Sequence, residues 1–205
     1  MHFLLISLSN ETFRGDIGFW QNISYFIIFV GTATFLSSLA VAPFKNQIIE
    51  SRIASKYFGY SALINAVMAA AFTLPLFYPP LDFPILITEW PGMYMIIAYA
   101  FFIIFGVLGM FAWSLSYSSL AAVLSKGNFS RPIVIFQLAI SNLGVYGMAI
   151  SLFLGGYLGS YLAYNGAGSI IVGASMEFSD IPAAFSIFLC IISVFVGVAN
   201  FIRTE

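Results

Sequence analysis

The chain has 205 residues, of which 61% are hydrophobic and 7% charged, with a formal net charge of −1. A soluble domain carries roughly a quarter charged residues, so this composition excludes a soluble surface and points to an integral membrane protein. The lack of a basic surplus excludes a nucleic-acid footprint, and one cysteine (Cys190) with one histidine (His2) excludes a disulfide framework or a zinc site of ordinary ligand count.

Residues 1–19 read as a short, partly interfacial tail. Phe3 to Leu8 is apolar, but it is short and no Lys or Arg precedes it, so it lacks the pattern of a secretory signal and is expected to stay on the mature protein. The first long apolar run covers about 20–43, from Trp20 to the residue before Pro43. The 44–55 loop carries Glu50 and Arg52, with Lys56 just beyond it and Ile48, Ile49 and Ile53 interleaved. It is expected to be a solvated, amphipathic connection. The second run, about 55–77, contains Asn65. Residues 78–91 hold Pro79, Pro80, Pro84 and Pro91, which break any helix. The third run, about 92–124, ends in the serine-rich stretch Ser114 to Ser119. Lys126-Gly127-Asn128 reads as a turn, and Pro132 suits a helix first turn.

The fourth run, about 132–163, carries the most ordered pattern in the chain. Gly147, Ser151, Gly155, Gly159 and Ala163 recur every fourth residue, which stacks them on one helical face. A smooth face of small residues lets a second helix approach closely in a membrane, so this ladder is the expected packing hub. A glycine-rich loop is expected over 165–179, followed by a fifth run at about 181–202, opened by Asp180 and Pro182. Each run meets the roughly 20 residues needed to cross about 30 Å of hydrocarbon. The expected fold is therefore an all-α integral membrane protein, a single bundle of five transmembrane helices over 1–205.

Charge supports that count. With five spans, one side receives Arg14 as its only base, against Glu11, Asp16, Asp82, Glu89, Glu177 and Asp180; the other receives Lys45, Arg52, Lys56, Lys126, Arg131 and Arg203 against Glu50 and Glu205. The positive-inside rule then places the N-terminus outside and the C-terminus in the cytoplasm, in a multi-pass chain of the cell membrane. Trp20, Trp90, Tyr157 and Tyr161 fall toward outer ends, and Tyr57 and Phe58 toward an inner end, as interfacial belts. The sequons Asn10-Glu11-Thr12 and Asn22-Ile23-Ser24 fall on the outer side.

Chemistry-bearing residues are few. Met68, Met93, Met95, Met110 and Met148 are scattered through the spans and suit gap-filling. No intramembrane carboxylate, Lys or Arg offers a proton or ion path. Asn65, Gln137 and Asn142 are the candidate polar pocket for a quinone head group or small polar solute; the plainer reading is interhelical hydrogen bonding. Asn200 is a further in-span amide, and Gly166-Ala167-Gly168 lacks the context of a phosphate loop. No catalytic, cofactor-binding or metal-binding residues are assigned, and contact with a lipid or quinone stays open. Small, charge-poor five-span chains without cofactor ligands occur as accessory subunits of respiratory and other energy-converting complexes. That analogy of class makes a non-catalytic subunit of a terminal oxidase-like assembly the leading expectation, with cofactor-bearing membrane subunits and lipids as partners. A small oligomeric transporter or channel is the alternative.

Overall fold

Long apolar runs become long helices. The computed structural model describes residues 48–77, 90–123 and 127–203. The expected first span, the N-terminal tail with its sequons and most of the 78–91 break lie outside these residues. Within them the order is β1 (Ile48–Glu50), α1 (Ser51–Phe77), α2 (90–123), β2 (Asn128–Ser130), α3 (Arg131–Tyr164) and α4 (Ser169–Arg203). Among the described residues three segments are long and apolar enough to cross a membrane: Trp90–Ser119, Arg131–Tyr164 and Ser169–Arg203. The chain is thus a helical membrane protein. At 34 and 35 residues, α3 and α4 each extend about 50 Å at 1.5 Å per residue, well beyond the hydrocarbon thickness.

α2 is not uniform. It opens with a 3-10 turn at Trp90–Gly92 and widens into π-helical turns at Phe102–Gly109 and Ser116–Leu120. The wider winding shifts the carbonyls out of the α-helical ladder, which lets a neighbouring helix bond to them.

The connection expected over 44–55 is instead partly regular. β1 pairs antiparallel with β2, Ile49 opposite Phe129, and the Ser51 N–H donates to Gly127 O at 2.8 Å. Strand alternation explains the register: Ile49 and Phe129 are buried while Ile48 and Glu50 face outward. α1 then starts at Ser51, four residues before the expected span. Phe129 caps a cluster in which the Tyr117 ring stands 4.8 Å from Phe201, 5.0 Å from Phe129 and 5.3 Å from Phe58. Phe58, expected in an interfacial belt, is fully buried here. Arg52, Lys56, Arg131 and Arg203 all lie in the turns near this sheet end.

A larger correction concerns 165–179. The connection is only residues 165–168, with Gly166 at φ 78°, and α4 begins at Ser169. Glycine content suggests a loop, but Val172, Ser175, Met176 and Ser179 are buried, Met176 and Ser179 against Gly159 and Gly155 of α3. That packing outweighs the weak helix propensity of Gly173. Pro182, expected to open the fifth span, sits inside the helix. Glu177 and Asp180 are therefore helical and exposed, within the candidate span Ser169–Arg203.

Candidate functional site

The small-residue ladder faces α4. A Cβ on Gly147 would meet the Ser186 side chain, one on Gly155 would sit 2.8 Å from Ser179 Cβ, and one on Gly159 would sit 2.8 Å from Met176 Sδ. Ser151 and Ala163 are half-buried along the same helix, and Ser151 Oγ donates back to Gly147 O at 2.6 Å. Gly144, outside the fourfold spacing, extends the groove by a turn: its Cβ would lie 2.7 Å from the Ser186 carbonyl. Gly156 opens a second face, toward Met95 and Tyr94 of α2.

α4 answers with small residues of its own. Ser175, Ser179, Ser186, Ser193 and Gly197 are buried. Each serine hydroxyl donates to a carbonyl three or four residues earlier, at 2.7 Å, so the polar groups are satisfied inside the helix and leave a smooth surface. The heptad spacing 179, 186, 193 was legible in the sequence but fell partly in the segment read as a loop.

α1 and α2 are held by three polar clasps along their antiparallel length. Near the sheet, Ser55 Oγ donates to Ser114 O and Ser114 Oγ to Ser55 O, both at 2.8 Å. At mid-length, Asn65 Nδ2 donates to Gly106 O at 2.8 Å, inside the wider π-helical turn. Farther along, Thr73 Oγ1 and Tyr99 Oη are 2.6 Å apart.

The middle clasp reaches α3. Asn65 Nδ2 also donates to Asn142 Oδ1 at 3.2 Å, Tyr146 Oη donates to Asn65 Oδ1 at 2.9 Å, and Ser61 Oγ donates to Asn142 Oδ1 at 3.0 Å. Asn142 Nδ2 is taken by Leu138 O at 3.0 Å. The geometry therefore joins Asn65 and Asn142 but sends Gln137 elsewhere. Gln137 Oε1 accepts from Tyr117 Oη at 2.7 Å, and Asn200 Nδ2 donates to the same hydroxyl at 3.2 Å. Gln137 is fully buried with Asn65 and Asn200. The three expected pocket residues form two separate networks rather than one pocket, because residues 137 and 142 are five apart and point to different neighbours.

Sequence reading missed Tyr117, Tyr146 and Ser61. A signal existed: Ser61 and Asn65, like Asn142 and Tyr146, are four apart, so each pair lines one face of its helix. Among the described residues, three buried polar atoms have no hydrogen-bond partner: Gln137 Nε2, Ser141 Oγ and Ser160 Oγ. The Gln137 amide fills the space beside Gly197 together with the Trp113 ring. Among the described residues no cluster of three His, Cys, Asp or Glu side chains is placed to hold a metal ion.

No known family model matches the chain, and neither a curated protein nor a solved structure resembles it at a significant level.

Proposed function

We propose that this chain is a non-catalytic structural subunit of a larger membrane protein complex, a respiratory, terminal oxidase-like electron-transfer assembly being its host. In this reading it is a five-span, multi-pass chain of the cell membrane with its C-terminus in the cytoplasm. The observation that carries the reading is the use made of the interior amides. Asn65 and Asn142 spend their donors and acceptors on Gly106, Tyr146, Ser61 and Leu138. Groups bound in this way hold helices in register and are not free to pass a solute along. The clustering of basic residues near the sheet end supports the orientation through the positive-inside rule. The broad outer face of α4, where Ile181, Phe188, Phe195 and Ile202 are more than half exposed, supports contact with lipid or with neighbouring apolar helices.

Purification in mild detergent tests the reading. The chain should co-migrate with larger, cofactor-bearing subunits, and it should disappear from the membrane when those are deleted. Recovery as a stable, monodisperse oligomer of this chain alone, moving a solute into liposomes, would replace the subunit reading with a transporter or channel.

A further inference from the structure

A cavity of about 230 Å³ lies where α2, α3 and α4 meet. The interior networks do not use it. Phe101, Phe105 and Trp113 of α2 give it aromatic walls, and Ile187, Ile191 and Val194 of α4 line its other side. Phe105, Ile187, Ile191 and Val194 are also exposed on the outer surface, so the cavity opens sideways toward lipid. The α2 wall includes the π-helical stretch Phe102–Gly109, and Gly109 contributes no side-chain bulk.

One polar group lacks a partner here. Ser141 lines the cavity, is only 5% exposed, and its Oγ makes no hydrogen bond. Ser193, the other hydroxyl on the lining, already donates to Cys190 O at 2.7 Å. Ser141 stands ten residues into α3, about 15 Å along the axis. With Arg131 at the membrane edge, that is near the middle of about 30 Å of hydrocarbon.

These features narrow the occupant. No charged side chain lines the cavity, so a neutral molecule is required at this depth. A lipid acyl chain would leave the Ser141 hydroxyl unpaired, which is costly in an apolar setting. A cavity of about 150 Å³ is known to hold benzene, so this one has room for a single substituted six-membered ring. Aromatic walls favour a flat ring, stacked or edge-on, and the lone donor requires a ring acceptor.

We propose that this cavity binds the ring of a neutral, lipid-soluble quinone, with Ser141 Oγ–H donating to a ring carbonyl and the apolar tail leaving into the bilayer past Ile191 and Val194. The proposal goes beyond the subunit reading and does not depend on it, since a transporter or a subunit could each carry such a site.

The test uses the full chain in phosphatidylcholine nanodiscs, titrated with a decyl-substituted benzoquinone while tryptophan fluorescence is followed. Quinones quench indole at short range, and Trp113 lines the cavity. Wild type should show saturable quenching, and W113F should lose the saturable part. S141A should raise the midpoint about fivefold, the effect of one hydrogen bond. V194F, which fills the cavity from an exposed position on α4, should abolish saturable quenching. Quenching that is only linear in wild type would show simple partitioning into the bilayer and overturn the proposal, as would a saturable part that persists in W113F or V194F. An unchanged midpoint in S141A would assign the cavity to acyl chains and overturn it equally. Absence of any quenching from Trp113 would mean that the chain itself or tightly held lipid fills the space, and the quinone site would again be excluded.

Discussion

Replacing Gly155 tests the α3–α4 interface at one of its close approaches. A Cβ there would stand 2.8 Å from Ser179 Cβ, whereas carbon atoms in good contact are about 3.5–4.0 Å apart. Gly155→Ala therefore forces the two helices about 1 Å apart locally. A gap of that size forfeits a quarter to a half of each contact, and over roughly twenty atom pairs at about 0.1–0.2 kcal/mol apiece this amounts to about 0.5–2 kcal/mol. The figure agrees with the usual cost of overpacking, about 1–3 kcal/mol. Gly155→Leu adds three more carbons on the same line, exceeds what side-chain movement can absorb, and should prevent recovery of folded protein. Leu154 is only half-buried, so Leu154→Ile should cost less than about 1.5 kcal/mol. The assay is thermal unfolding in mild detergent, followed by size-exclusion recovery. At roughly 2–4 °C per kcal/mol for a chain of this size, Gly155→Ala should lower the midpoint by about 1–8 °C. Equal midpoints and equal recovery for Gly155→Leu and Leu154→Ile would refute the close-packing argument.

Three further outcomes follow from the same geometry. Gly106→Ala places a Cβ 2.8 Å from Val145 Cγ1 and 3.5 Å from Asn65 Nδ2; it should cost about 1–3 kcal/mol, read as a lower melting midpoint, and a wild-type midpoint would show that α2 has room to yield. Phe201→Ala removes a ring packed on Tyr117, Phe129 and Trp113. It should cost about 3–5 kcal/mol and expose Ser51 N–H to faster hydrogen exchange by loosening the sheet. Gly166→Ala meets nothing within 4 Å but must adopt φ 78°. The cost should be only the left-handed strain, about 1–2 kcal/mol, so a loss as large as that of Phe201→Ala would mean the turn is more constrained than its open surroundings indicate.

The sequence displayed its helices where apolar runs had sharp ends, and hid them where small residues did the packing. Helix α3 lies within a residue of its expected limits because Pro132 opens it and Gly166 follows its end. The expected span stops short of the true start of α4 because Gly173, Ser175 and Ser179 read locally as a loop; the packing value of Ser179 appears only when Gly155 stands opposite it. β1 and β2 were invisible because three-residue strands carry no measurable period, and Ile49 pairs with Phe129 across 80 residues. The small-residue pattern behaves differently on other helices. On α1, the equally spaced Ala62 is buried, but Ala66 is half-buried and Ala70 exposed, so among the described residues that row turns away from its neighbours. Of the polar residues, Asn65 and Asn142 meet as interhelical partners, while Gln137 departs toward Tyr117. Side-chain spacing along one helix fixes a direction, and only the neighbouring helix decides what waits there.

Polar side chains between these helices serve to fasten them. A double-mutant cycle on Asn65 and Tyr146, using Asn65→Leu and Tyr146→Phe alone and together, measures that fastening directly in reversible unfolding from detergent micelles. The 2.9 Å bond from Tyr146 Oη to Asn65 Oδ1 predicts a coupling of about 0.6 kcal/mol and no more than about 1.7 kcal/mol, as double-mutant cycles give for hydrogen bonds between membrane helices. A coupling of zero, with both single variants as stable as wild type, would mean that this bond fastens nothing.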